Sequence, residues 1–148
     1  MSASFARQLT SAACSAALAI GMASAPAFAQ DTPKSLSLEL NNARDANGGC
    51  RITYIAKNDG DQQYDTVSYQ IVVFDNEDKV AQFLILEFGR LAAGKTKVVE
   101  FDFANRECGG ISRILVNDVS ECTVNGSEAS DCLDRLATSS RTGIEFGV

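Results

Sequence analysis

Period-two alternation of apolar and polar residues, cut at short intervals by Asn, Asp and Gly, governs this chain from Ser35 onward. Leu36, Leu38 and Leu40 alternate with Ser35, Ser37 and Glu39, and the pattern predicts a first strand, A. Such alternation puts one set of side chains on each face of a strand, so it specifies half-buried sheet and not helix. Asn41 to Gly49 reads as a turn, and Ile52, Tyr54 and Ala56 alternate along strand B. Asn58-Asp59-Gly60-Asp61 is the next turn, because these residues tolerate left-handed backbone. Strand C is predicted from about Asp65 to Phe74, a hairpin closes at Asn76 to Lys79, and strand C′ follows from Val80 to Phe88. Strand E carries Val99, Phe101 and Phe103; strand F covers Ile111 to Val119; strand G carries Thr142, Ile144 and Phe146. One stretch reads as helical: Ser130-Asp131 caps a short helix carrying Cys132, Leu133 and Leu136, with Thr138-Ser139-Ser140 as a polar linker into G. The expectation is an all-β sandwich of about seven strands with one short helix between the last two.

The residues before strand A have a different character. A single basic residue, Arg7, precedes an apolar run from Ala12 to Met22, and Ala27-Phe28-Ala29 supplies a small-x-small cleavage pattern. Residues 1–29 therefore read as a cleaved export signal, residues 30–34 as a polar tail and residues 35–148 as one folded domain. The run is about half the roughly 20 residues that span a bilayer, so no membrane span is expected after cleavage. Cys14 lies too early in the run for lipidation, and no Arg-Arg pair marks a twin-arginine signal. The expected location is the periplasm or the exterior.

Composition narrows the chemistry. The formal charge is −6, and loss of Arg7 with the signal makes it more negative. That balance argues against nucleic acid and against anionic membrane surfaces as partners. The chain has no His. Without it the commonest general base and the commonest neutral metal ligand are both missing, so the expectation is a protein that is not an enzyme, with no cofactor and no metal.

Cys14 falls in the signal, which leaves Cys50, Cys108, Cys122 and Cys132. An even number in an exported domain points to two disulfides, with three possible connectivities. No C-x2-C spacing supports a zinc site.

Strand B ending in Asn58, Ile71-Val72-Val73-Phe74-Asp75, the turn Leu91-Ala92-Ala93-Gly94-Lys95-Thr96 and Phe101 together resemble the FxLYD-type immunoglobulin-like domain of bacterial exported proteins, over about residues 50–103. The chain departs from that pattern at Ile71, which stands for an aromatic residue, and at Phe74, which stands for tyrosine. The resemblance implies an immunoglobulin-like β-sandwich and no enzymatic activity. In such a sheet strand E lies antiparallel beside strand B, so the end of E, followed by Cys108, meets the start of B, opened by Cys50. Cys122 and Cys132 flank a short loop. The expected pairs are Cys50–Cys108 and Cys122–Cys132.

The acidic turns Asp59-Gly60-Asp61 with Asp65, and Asp75-Asn76-Glu77-Asp78, lack the calcium-loop pattern and are expected to serve backbone turns. Arg113 with Asn117-Asp118 and Arg141 is a possible polar site or an ordinary ion pair. The C–C′ hairpin is more informative. With Glu77-Asp78 at its tip, Val67, Tyr69 and Ile71 face Phe88, Leu86 and Leu84 on one apolar side. The opposite side then pairs Val72 with Phe83, Phe74 with Ala81 and Gln70 with Ile85. Val72, Phe74, Phe83 and Ile85 form a candidate contact surface for another periplasmic protein or for a second copy of the chain. The competing arrangement hides them under a terminus or under Leu133 and Leu136. The expected function is a protein-interaction module; the alternative is a small-ligand carrier or minor enzyme with a pocket beneath the F–G insertion.

Overall fold

A computed structural model describes residues 33–148; the expected signal and most of the polar tail lie outside the described residues. The described residues are all-β, with strands β1 (Leu36–Ala46), β2 (Gly49–Asn58), β3 (Thr66–Phe74), β4 (Val80–Glu87), β5 (Thr96–Ala104), β6 (Arg113–Val124), β7 (Ser127–Glu128), β8 (Leu136–Ser140) and β9 (Glu145–Gly147). Two mixed sheets pack together. One has the order β5-β2-β1-β8; the other runs β4-β3-β6, with β7 and β9 both paired to β6. The parallel pairs are β1 with β8 and β6 with β9.

Local sequence explains most element boundaries. Asn47 and Gly48 both take positive φ, 52° and 75°, and join Ala46 to its partner Gly49. Asn-Gly is the dipeptide best suited to this two-residue hairpin, whose twist matches that of the flanking strands. Asn125-Gly126 repeats the device between β6 and β7. Gly49 has a second reason to be glycine: a Cβ there would lie 2.3 Å from the Phe103 carbonyl oxygen across the ladder.

The core lies between the sheets. Leu36, Leu38 and Leu40 of β1, Ile52, Tyr54 and Ala56 of β2, and Val67, Tyr69, Ile71 and Val73 of β3 are all buried. The Tyr54 ring stands edge-on to Phe88, Phe101 and Phe146 at centroid distances of 5.8, 6.0 and 5.3 Å, an arrangement that aromatic quadrupoles favour. Cys50 is bonded to Cys108, at one end of the β2–β5 pair, and Cys122 of β6 is bonded to Cys132.

Several elements differ from the sequence reading. The stretch Asn41 to Ala46, expected as turn, continues β1, because a bulge between Leu40 and Asn42 shifts the alternation without ending the ladder. The short helix expected near Ser130 to Leu136 is a single turn. The Arg135 N–H donates to the Asp131 carbonyl at 2.9 Å, and Leu136 then enters β8. The polar linker Thr138-Ser139-Ser140 belongs to that strand, since the free edge of β1 supplies its backbone partners. Strand G is shortened to β9, with Ile144 and Phe146 buried and Thr142 outside it.

Candidate functional site

The outer face of the sheet β4-β3-β6 is built by the alternation that fills the core. Because Tyr69, Ile71 and Val73 point inward from β3, Gln70, Val72 and Phe74 point outward. On β4, Leu86 points inward and is buried, so Phe83 and Ile85 point outward. On β6, Ile114 and Val116 are buried, which leaves Arg113, Leu115 and Asn117 on the outer face.

The β3–β4 register follows the hairpin reading from Ser68–Glu87 to Val73–Gln82 and includes Val72–Phe83 and Gln70–Ile85. A bulge then pairs Phe74 with Val80 in place of Ala81.

Exposure divides the four expected contact residues. Phe83 is 60 % exposed and Ile85 57 %, and Val80 beside the bulge, not foreseen in the sequence, is 52 % exposed. Phe74 is half-buried, and the Arg113 guanidinium lies 3.9 Å from its ring centroid, in cation–π contact. Val72 is corrected: it is 3 % exposed, flanked on the central strand by its register partners Phe83 and Leu115. It is nevertheless outside the inter-sheet core. Asn117 donates from Nδ2 to Gln70 Oε1 at 2.8 Å, so the β6 side of the face is polar. Phe83, Leu84, Ile85 and Gln70 line an open depression of about 410 Å³.

The expected covers lie elsewhere. Leu136 is buried in the core and Leu133 packs against that core, with the Tyr69 hydroxyl donating to the Cys132 carbonyl at 3.1 Å. Among the described residues nothing pairs with the free edge of β4.

Other sequence candidates resolve into turn and sheet chemistry. Asp75 Oδ1 accepts the backbone N–H groups of Glu77 and Lys79 at 2.9 and 3.0 Å, and these two bonds hold its carboxyl below the ordinary value. Asp59 pairs with Lys57 at 2.6 Å, and Asp65 Oδ2 accepts the Gly126 N–H. Asn58 is fully buried; its Nδ2 donates to the Gln62 and Leu91 carbonyls and its Oδ1 accepts the Gly60 N–H. Arg141 pairs with Glu39 on the other sheet, so it does not join Arg113 and Asn117. Asp102 makes two hydrogen bonds with Arg51, at 2.5 and 2.6 Å, which lower its carboxyl from the ordinary value.

Beneath the β6–β8 connection lies an open depression of about 440 Å³, lined by Asp118, Glu121, Glu128 and Asp134 among others. Among the described residues no three His, Cys, Asp or Glu side chains converge on a common metal position, and no helix is long and apolar enough to cross a membrane. In comparisons with protein-family models, curated proteins and solved structures, nothing matches the chain.

Proposed function

We propose that this chain is a non-catalytic exported protein, periplasmic or secreted, whose sandwich acts as a protein-interaction module through the outer face of β4 and β3. One observation carries the reading: Val80, Phe83 and Ile85, three large apolar side chains on a single edge strand, are each more than half exposed. Solvated sheet faces ordinarily alternate to polar residues, and exposed apolar clusters mark interaction sites. Two disulfides in a chain of this size are in keeping with export to an oxidising compartment. The immunoglobulin-like part of the reading is supported by the pairing of β2 with β5, and of β3 with both β4 and β6, as B pairs with E and C with C′ and F. The parallel pairings of β8 with β1 and of β9 with β6 depart from that pattern, in which sheet neighbours are antiparallel.

The alternative, a carrier or minor enzyme using a pocket beneath the F–G insertion, has less support. The depression there is open and acid-lined, where a carrier cavity is enclosed and mainly apolar.

The test compares the wild-type protein with Phe83→Ser/Ile85→Ser as bait in extract of the exporting compartment, with captured proteins identified by mass spectrometry. A partner or second copy retained by wild type and lost by the variant, at equal thermal stability, supports the reading. Identical capture profiles, with no association of either protein, reject it.

A further inference from the structure

We infer that the occupant of this surface is a second copy of the chain, joined antiparallel along the free edge of β4. This deepens the contact-surface reading and rests on it.

The backbone is poised for such a join. Val67 O accepts the N–H groups of Phe88 and Gly89 at 2.9 and 3.1 Å, and Val67 N–H donates to Gly89 O at 3.0 Å. Antiparallel ladders alternate between hydrogen-bonded and non-hydrogen-bonded pairs. Counting back from that bulge, Leu86 and Leu84 direct their N–H and C=O groups to β3, while Ile85 and Phe83 direct theirs to the free edge. Phe83 and Ile85, whose backbone groups are unused, are thus also the two most exposed large apolar side chains of β4.

Edge strands ordinarily carry devices that stop such pairing, such as charges, proline or brevity. Within the same molecule, the β5 edge carries Lys97, Glu100 and Asp102, and the β8 edge has only five residues. β4 has eight residues, no proline and one charge, Glu87, at its very end.

Charge selects a second copy. Lys79 stands just before β4, where it pairs with Glu77 of its own acidic hairpin tip at 2.5 Å, and Glu87 ends the strand, so a cation and an anion flank the free edge at opposite ends. A two-fold axis beside Leu84 sets Phe83 opposite Ile85 of the second copy and Ala81 opposite its Glu87. Lys79 then lies diagonal to the second copy's Glu87, within reach of a long side chain. The two Glu87 carboxylates stay about 20 Å apart, six strand positions, which a net-negative protein requires. A parallel join would bring them side by side. The outcome is one continuous sheet with Phe83 and Ile85 of both copies clustered across the join.

Sedimentation equilibrium of the oxidised, processed protein tests this. Wild type is expected to dimerise reversibly. Ile85→Pro removes an N–H that β3 does not use and is expected to give a folded monomer. In case proline disrupts β4, Lys79→Glu provides a second reading: it should raise the dimer dissociation constant roughly tenfold, through two symmetry-related ion pairs, and Lys79→Glu/Glu87→Lys should restore it. A wild type that stays monomeric at every concentration overturns self-pairing, as does a dimer that the double reversal fails to restore. A monomer whose Ile85 amide is strongly protected from hydrogen exchange also overturns it, in favour of a segment of the same chain on that edge. A monomer that still captures a different protein through Phe83 overturns self-pairing alone. A monomer that captures nothing through Phe83 overturns the contact-surface reading as well.

Discussion

Val72 and Phe83 face each other across the β3–β4 ladder on the same side of the sheet, yet Val72 is 3 % exposed and Phe83 60 %. The difference is positional: β3 has a neighbour on each side, whereas β4 ends the sheet. Val72→Ser is therefore expected to destabilise the fold by about 2 kcal/mol, through lost apolar burial and a newly buried hydroxyl. Phe83→Ser should stay within about 0.5 kcal/mol of wild type. Urea unfolding of the two variants measures the contrast.

Two core tyrosines should respond in opposite ways to loss of their hydroxyls. Burial raises the phenol pKa of both. The Tyr54 hydroxyl has no protein hydrogen-bond partner among the described residues, whereas the Tyr69 hydroxyl donates to Cys132 O. Tyr69→Phe is expected to cost about 1 kcal/mol, and Tyr54→Phe to leave stability unchanged or raise it by a similar amount. Chemical denaturation at neutral pH separates them.

The two disulfides should contribute unequally. Cys50–Cys108 closes a span of 58 residues and Cys122–Cys132 a span of 10. Chain-entropy estimates assign about 4 kcal/mol to the first and about 3 to the second. Paired Cys→Ser replacements, one bridge at a time, followed by thermal unfolding, should reproduce that order.

The β3–β4 hairpin should carry an acid-labile contribution through Asp75. Its carboxyl is held below the ordinary value of 3.8, first by the Lys79 backbone N–H and then by that of Glu77. A depressed folded-state value means the contribution is complete above the ordinary carboxylate range and is lost as pH falls through the lowered value. Asp75→Asn keeps an accepting oxygen but does not titrate, so its stability should fall less steeply in acid. Urea midpoints followed from neutral to strongly acidic pH test this.

Alternation and turn chemistry alone determined the all-β class, most strand positions and the inward set Val67, Tyr69, Ile71, Leu86 and Phe88, because a period of two assigns each side chain to a face before any partner is known. The Val72–Phe83 register expected from a Glu77-Asp78 tip is present, but the turn itself differs: it closes between Asp75 and Lys79 with Asp78 at positive φ, and the bulge at Phe74–Val80 restores the register beyond it. Tertiary structure alone decided which outward residues are covered. Val72 is hidden by Leu115, which lies more than forty residues away in sequence on β6, and Arg113 of the same strand reaches the Phe74 ring. The polar segment Thr138-Ser139-Ser140 became strand because β1 offered it unpaired backbone. Facing is a property of one strand's own pleat, whereas covering and edge pairing depend on which distant strand lies alongside, and long-range hydrogen bonding settles that only as the whole sheet assembles.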